Sequence, residues 1–238
     1  MSAEYKVIIK NMSNDPTSFY AFQQQASFSG SGSGAVIRSS SLATGPLAPN
    51  ATSGAQLEFG FDVQIYAGAI CRNPDSSFVT LNVTLSRRTV TDTVSLSAAA
   101  QPITLTVSGT DTTANDTTLS IDPLGLSTPT HQTGMATGSF GIEIPTFSPG
   151  TVEDLYCGCA AMNHDGSSIL SSFLSPKPSS QLSCAPLPIY YVKTGSIPVG
   201  QIVTYDTGNA GECDFSKGSS VLTAEYNIDG TFTITEAS

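Results

Sequence analysis

The sequence is poor in charge, in basic residues and in long apolar runs. Only 12% of its 238 residues are charged, about half the share of a typical soluble domain. Nine Lys and Arg stand against nineteen Asp and Glu, for a formal net charge of −10, so the chain lacks the basic patch that nucleic-acid binding requires. No apolar run reaches the roughly 18 residues of a membrane-spanning helix, which excludes a transmembrane span of that kind.

Serine and threonine take the place of the missing charged residues, with 34 Ser and 28 Thr in the chain. Their short hydroxyl side chains compete with helical hydrogen bonds and favour extended backbone or turns. Apolar and polar residues alternate through Leu57–Tyr66 and Val79–Leu85, which is the pattern of half-buried strands. Apolar positions that recur so regularly exclude a disordered chain.

Further strand-like segments recur at intervals of about a dozen residues, separated by Gly, Pro, Asn and Asp. They are Tyr5–Ile9, Ser18–Phe22, Thr89–Leu96, Ile103–Val107, Thr117–Ile121, Ser139–Ile144, Leu155–Met162, Pro188–Val192, Gln201–Tyr205, Val221–Ile228 and Thr231–Ile234. Short strands at this spacing are typical of sandwiches and barrels. We therefore predict an all-β fold with an antiparallel β-sandwich architecture.

Local signals predict several connections between these segments. Asp229-Gly230 between two alternating runs predicts a β-hairpin, and we expect Tyr5–Ile9 and Ser18–Phe22 to pair as a second one. Ser167–Leu174 has apolar residues at helical spacing and predicts either a short helix or a single helical turn in a loop. The alternating Gly and Ser of Ser29–Gly34 predict a surface loop.

One internal similarity suggests two related units. Tyr66–Ser77 aligns with Tyr156–Ser167 at a constant offset of 90, with Tyr, Gly, Asn, Asp and the final Ser in common. This repeat predicts sandwich-like units over residues 1–125 and 126–238. The alternatives are a chance similarity and one single large β-sandwich over residues 1–238.

Three stretches near the start, Tyr5–Ile9, Phe19–Phe22 and Phe59–Cys71, carry a resemblance to known sequences. They resemble the opening of small, functionally uncharacterised β-rich proteins predicted from filamentous-fungal genomes. The similarity covers roughly residues 1–75 and includes no catalytic motif. It implies an intracellular or leaderless protein and brings no activity or site with it.

The first residues, Met1–Lys6, lack the basic segment and apolar stretch of a secretory signal. We therefore expect a cytoplasmic protein, with a mature secreted form carrying an added Met as the alternative.

The five cysteines, Cys71, Cys157, Cys159, Cys184 and Cys213, are few and irregularly spaced. A disulfide framework usually belongs to a short chain that is dense in cysteine. We therefore expect reduced, buried thiols. Two disulfides drawn from the last four, or a structural zinc site built from the same four, stay open as alternatives. If Cys157 and Cys159 lie on a strand, their side chains share one face.

Histidine is scarce, with only His131 and His164, and no motif places either beside an exposed serine nucleophile. His164 follows Cys159 closely and precedes Asp165, so Cys159, His164 and Asp165 are the candidate catalytic set, with Cys159 as nucleophile. For His131 we expect a solvated position in a loop. Our first expectation is nevertheless that the chain has no catalytic site.

Two Asn-x-Asp segments offer oxygen atoms at alternating positions, which suits calcium. The candidate ligands are Asn73 and Asp75 in the first segment and Asn163 and Asp165 in the second. Neither segment supplies a later bidentate carboxylate, and Asn and Asp also build turns by bonding their own backbone. We therefore expect turns and no cofactor, with calcium as the alternative.

Two further sets of side chains are candidates for a site, although we first expect structural roles for them. Asp62 and Glu143 hold matching places in the repeat, and paired carboxylates hydrolyse glycosides when held about 5 to 9 Å apart. We expect them to be outward-facing strand carboxylates. Tyr20, Tyr190 and Tyr191 are candidates for a pocket lining, although strand aromatics are usually core residues or cross-strand pairs.

The absence of a catalytic motif and the shortage of charge favour a non-catalytic binding or self-assembling protein. Its ligand would be a small molecule, a glycan or another protein, and a homo-oligomer is compatible with this class. The alternative is a small enzyme, an isomerase, cyclase or hydrolase, that uses the Cys/His/Asp set or carboxylates in an apolar β-pocket.

Overall fold

The computed structural model describes residues 3–30, 35–72, 98–108, 112–148, 153–162 and 167–236. Within these ranges the chain forms nineteen strands: β1 (Glu4–Asn11), β2 (Thr17–Gln23), β3 (Ser27–Ser29), β4 (Arg38–Ser40), β5 (Ala43–Leu47), β6 (Leu57–Asp62), β7 (Tyr66–Arg72), β8 (Ala99–Pro102), β9 (Asp116–Ile121), β10 (Leu124–Leu126), β11 (Phe140–Ile144), β12 (Glu153–Met162), β13 (Ser168–Leu174), β14 (Ser180–Ala185), β15 (Ile189–Thr194), β16 (Ile202–Val203), β17 (Gly211–Asp214), β18 (Val221–Tyr226) and β19 (Phe232–Glu236).

Helix contributes little to the described part of the chain. It consists of α1 (Asn50–Ser53) and a single 3-10 turn at Phe215–Lys217. Gly54 ends α1 with a φ of 65°, a left-handed conformation that glycine adopts without steric cost. In the part of the chain that the structure describes, no helix is long and apolar enough to cross a membrane.

The strands form four sheets. Sheet I has the order β19-β18-β1-β6, sheet II β17-β15-β2-β5, sheet III β10-β9-β11-β14-β3 and sheet IV β16-β4-β13-β12-β7-β8. Most pairs are antiparallel, while β1 with β18 and β9 with β11 are parallel. All four sheets combine strands from both sides of residue 125. The sheets therefore mark no boundary at this position, and the division into two units stays a prediction.

Sheets I and II pack face to face around a first core. Val7 and Ile9 on β1 are fully buried, as are Phe19 and Ala21 on β2. A spacing of two residues places both side chains of each strand on the same face. The ring of Phe61 on sheet I stacks on that of Tyr190 on sheet II, with centroids 4.1 Å apart. Side chains from both sheets thus interdigitate in one apolar layer.

Sheets III and IV pack around a second core. Phe140, Ile142 and Ile144 on β11 point into it from sheet III. Cys157 and Cys159 on β12 point into it from sheet IV, so these two cysteines share a face as predicted. The all-β prediction, with antiparallel sheets packed against one another, is confirmed.

The described parts of the two similar segments lie side by side. β7 and β12 pair antiparallel, with Gly68 opposite Gly158 at the middle of the ladder. The matching tyrosines, Tyr66 and Tyr156, lie on opposite sides of this glycine pair, opposite Ala160 and Ile70 respectively.

Two predicted connections are wrong. Ser167–Leu174 contains no helix: β13 covers residues 168–174 and is buried between β4 and β12 in sheet IV, so sheet pairing overrides the helical spacing. Tyr5–Ile9 and Ser18–Phe22 do not pair, because β1 lies between β6 and β18 while β2 lies between β5 and β15. Both strands instead find partners far along the chain.

Strand boundaries also differ from the pattern at two places. Leu57–Tyr66 is divided between β6 and β7, since the Asp62 carboxylate accepts a hydrogen bond from the Gln64 amide at 3.0 Å and forms a turn there. Ile103–Val107 is not a strand, and β8 ends just before it. The predicted strands Val79–Leu85 and Thr89–Leu96, and all but the first two residues of Ser29–Gly34, lie outside the described residues.

The predicted hairpin at Asp229-Gly230 is confirmed. β18 and β19 pair antiparallel, with Tyr226 opposite Phe232. Gly230 has a φ of 84°, and the Asp229 carboxylate accepts a hydrogen bond from the Thr231 amide at 3.0 Å. The turn residues thus adopt the roles that their chemistry favours.

Candidate functional site

The outer face of sheet III is built from polar residues and glycine. On β9, Leu119 points into the second core while its neighbour Thr118 is exposed. The same alternation places polar residues of β11 and β14 outward, because Phe140, Ile142 and Leu182 of these strands point inward. We call this surface the polar face; it includes Asp116, Thr118, Gly141, Glu143, Gln181 and Ser183.

Asp116 and Gln181 form the centre of the polar face. The Gln181 side-chain amide donates to Asp116 Oδ1 at 2.5 Å, although β9 and β14 are separated by β11. Both side chains reach across Gly141, whose missing side chain leaves the space they need: a Cβ there would overlap Asp116 Oδ1 and Gln181 Nε2. Glycine is therefore required at this position by close approach.

Glu143 adds a second carboxylate beside the first. Thr118 donates from its hydroxyl to Glu143 Oε2 at 3.0 Å, across the parallel β9–β11 pair in which Glu143 lies opposite Thr118. Burial raises the pKa of the Asp116 carboxyl, the Gln181 hydrogen bond opposes this, and the nearby charge of Glu143 raises it further. Asp116 is thus a desolvated carboxyl with an acidic neighbour.

The polar face has the groups to make hydrogen bonds in both directions. Carboxylates accept, hydroxyls and amides donate or accept, and they stand on a rigid sheet. The unfavourable burial of the Asp116 charge would be relieved by a ligand that donates a hydrogen bond to it.

A small cleft lies where the two cores meet. Its lining includes Gln23, Phe61, Asp62, Cys159 and Tyr190. Its volume is about 20 Å³, which is room for about one water molecule. An organic substrate would need a pocket of roughly 300 Å³ or more, so this cleft does not accommodate one.

Cys159 is one of the residues that the sequence marked as a catalytic candidate. It is 3% exposed, on β12, with its Sγ 3.1 Å from that of Cys184 on β14. His164 and Asp165 lie outside the described residues, as do the calcium candidates Asn73, Asp75 and Asn163. The catalytic set and the calcium site therefore stay predictions.

The other cysteines are placed in the cores. Burial raises the pKa of the Cys157 and Cys184 thiols and raises that of Cys213 to about 12. These three are protonated at neutral pH, and the thiolate is the nucleophilic form. No group of three or more metal-ligating side chains is found in the part of the chain that the structure describes.

The remaining candidates have structural contacts. Tyr190 faces the first core, while Tyr191 points to the opposite side of sheet II and stacks on Phe22 with ring centroids 5.5 Å apart. Asp62 accepts a hydrogen bond from the Tyr66 hydroxyl at 3.1 Å. His131 is exposed, with Nδ1 3.0 Å from the Thr113 carbonyl oxygen.

Asp116 and Gln181 were not among the predicted site residues. The predicted strand Thr117–Ile121 begins one residue after Asp116. β14 was not predicted, because Ser180–Ala185 is short and contains no β-branched residue. Without β14 and the order of sheet III, nothing brings Gln181 to Asp116.

Comparisons of the chain with protein-family models, with curated proteins and with solved structures find no match.

Proposed function

We propose that this protein is a non-catalytic binding protein and that it binds a hydroxyl-rich ligand, a glycan or a comparable polar small molecule, on the polar face of sheet III. The observation that carries the proposal is the Asp116–Gln181 pair over Gly141. Burying a carboxyl on the outer face of a sheet lowers the free energy of unfolding. A binding role explains why the residue is there, because the carboxyl can accept a hydrogen bond from a ligand.

The ligand class follows from the chemistry of the face. Neighbouring hydroxyls of a sugar or polyol donate and accept at close spacing, which matches the carboxylates, the amide and the hydroxyls of the polar face. The net charge of −10 disfavours anionic ligands. A neutral or amino-substituted saccharide fits both properties.

The proposal is tested by binding measurements on a panel of neutral and amino-substituted oligosaccharides and polyols. Wild type, Asp116→Asn, Gln181→Ala and Glu58→Gln would be compared by calorimetry. Glu58 is the matched control, an exposed strand carboxylate on sheet I that pairs with Lys6 at 2.9 Å. We expect the first two variants to lose at least about tenfold in affinity, or about 1.4 kcal/mol, and the control to bind like wild type. Equal binding by all four proteins, or by none, would contradict the proposal.

A second candidate function rests on the two carboxyls of the same face. Burial and in part the charge of Glu143 raise the pKa of Asp116. Glycoside hydrolases use a pair of neighbouring carboxyls, in which the proton donor has a raised pKa. The protein would then be a hydrolase of the same ligand class. Product release measured on the same panel separates the two functions: turnover that Asp116→Asn abolishes would favour the enzyme, and binding without turnover the binding protein.

A further inference from the structure

Two thiols from facing sheets meet in the second core. Cys159 on β12 belongs to sheet IV and Cys184 on β14 to sheet III, and their sulfur atoms are 3.1 Å apart. A disulfide bond is about 2.05 Å long, so the sulfurs need to approach by only about 1 Å to be joined. The bond would link the two sheets directly across their shared core.

The neighbouring cysteines are placed less favourably. Cys157 shares the inward face of β12, but the sulfur contact of Cys184 is with Cys159. Cys213 lies in the first core, between sheets I and II. The contacts therefore favour Cys159 over Cys157 and Cys213 as the partner of Cys184.

Only one of the two paired thiols has a route to solvent. Cys159 lines the small cleft between the cores, together with Gln23, Asp62 and Tyr190. Cys184 is fully buried and does not line it. The cleft holds about 20 Å³, enough for about one water molecule, and hydrogen peroxide is the oxidant closest to that size.

We propose that Cys159 and Cys184 are an oxidation site, at which hydrogen peroxide entering by the cleft joins the two sulfurs in a disulfide. In the first step the Cys159 sulfur attacks one peroxide oxygen, the O–O bond breaks, and a sulfenic acid and one water are formed. In the second step the Cys184 sulfur attacks Cys159, the S–O bond breaks, and a second water leaves with the Cys184 proton. Two thiols and one peroxide thus give one disulfide and two waters.

Burial sets the rate of this reaction. It raises the pKa of the Cys184 thiol, and the adjacent Cys159 adds to the effect. Because the thiolate is the reactive form, the second step, in which Cys184 is the nucleophile, should be slow at neutral pH and faster at alkaline pH. Low-molecular-weight disulfides such as oxidised glutathione are too large for the cleft and should react much more slowly with the folded protein.

The test starts from protein reduced with dithiothreitol and freed of reductant. Wild type, Cys159→Ala, Cys184→Ala, Cys157→Ser and Cys213→Ser would be treated with hydrogen peroxide and analysed by intact mass and by non-reducing peptide mapping. Circular dichroism checks that each variant is folded. Mapping of the wild type alone identifies the linked pair, so the test does not depend on any variant.

We expect wild type, Cys157→Ser and Cys213→Ser to lose two hydrogen atoms and to show the Cys159–Cys184 link. Cys184→Ala should instead trap the sulfenic acid on Cys159, which dimedone labels when the protein is unfolded in its presence. In Cys159→Ala the Cys184 thiol should stay reduced. A different linked pair in the wild type would overturn the proposal. So would complete alkylation of both thiols after peroxide treatment and unfolding, or oxidation of Cys184 in Cys159→Ala at the wild-type rate.

Discussion

Replacing Gly68 by alanine should destabilise the protein by overpacking the middle of sheet IV. A Cβ at residue 68 would lie 2.6 Å from the Ala160 Cβ and 2.6 Å from the Leu170 Cδ2, far inside the usual separation of about 3.5 to 4.0 Å between carbon atoms. Leu170 has a flexible end, but the Ala160 Cβ is fixed to the backbone of β12. The strands themselves must therefore move apart.

Overpacking of this kind costs about 1–3 kcal/mol. For a chain of this length each kcal/mol corresponds to roughly 2–4 °C in Tm, so we expect a fall of about 2–12 °C in thermal unfolding followed by circular dichroism. Gly125→Ala is the matched control, since a Cβ at that strand glycine meets nothing within 4 Å; its Tm should stay the same or rise slightly. Equal Tm values for the two variants would refute the packing of β7 against β12 and β13 described above.

Three further predictions concern other parts of the fold. Because the pKa of Asp116 is raised in the folded state, its ionised form lowers stability at neutral pH, and this cost disappears as the pH falls. The Tm of wild type relative to that of Asp116→Asn should therefore increase from pH 7 to pH 4. A Tm difference that decreases over this interval would contradict the raised pKa of Asp116. Phe61→Ala removes the ring stacked on Tyr190 and should lower the free energy of unfolding by about 3–5 kcal/mol in denaturant titrations. A loss below about 1 kcal/mol would mean that the ring is not packed in the first core. Gly230→Ala forces a residue with a Cβ to a φ of 84° and should cost about 1–2 kcal/mol, with faster hydrogen exchange in residues 232–236; unchanged exchange there would argue against the hairpin.

Period-two alternation was a sufficient signal for many strands and for their inward faces. Val7 and Ile9, or Phe140 and Ile142, are buried where the alternation places them. This works because a strand with one buried face repeats every two residues, whichever strands lie beside it. The Asp229-Gly230 turn was predictable for a similar reason, since its conformation depends on its own residues.

Partner choice was not predictable in the same way. β1 pairs in parallel with β18, more than two hundred residues later in the chain, and nothing in Tyr5–Ile9 specifies that partner. The helical spacing of Ser167–Leu174 was misleading, because Ile169, Leu170, Phe173 and Leu174 are apolar on both faces of a central strand. Long-range pairing also assembles the polar face, so its central pair could not be found from local patterns.

The most direct test of the binding proposal is an NMR titration of the isotope-labelled protein with the tightest-binding saccharide of the panel. In wild type, the amide resonances of Asp116, Thr118, Gly141 and Gln181 should shift together and saturate. In Asp116→Asn, the resonances of Thr118, Gly141 and Gln181 should shift much less at the same saccharide concentrations. Shifts confined to the edges of sheets I and II, or the same titration in wild type and in Asp116→Asn, would contradict the binding proposal.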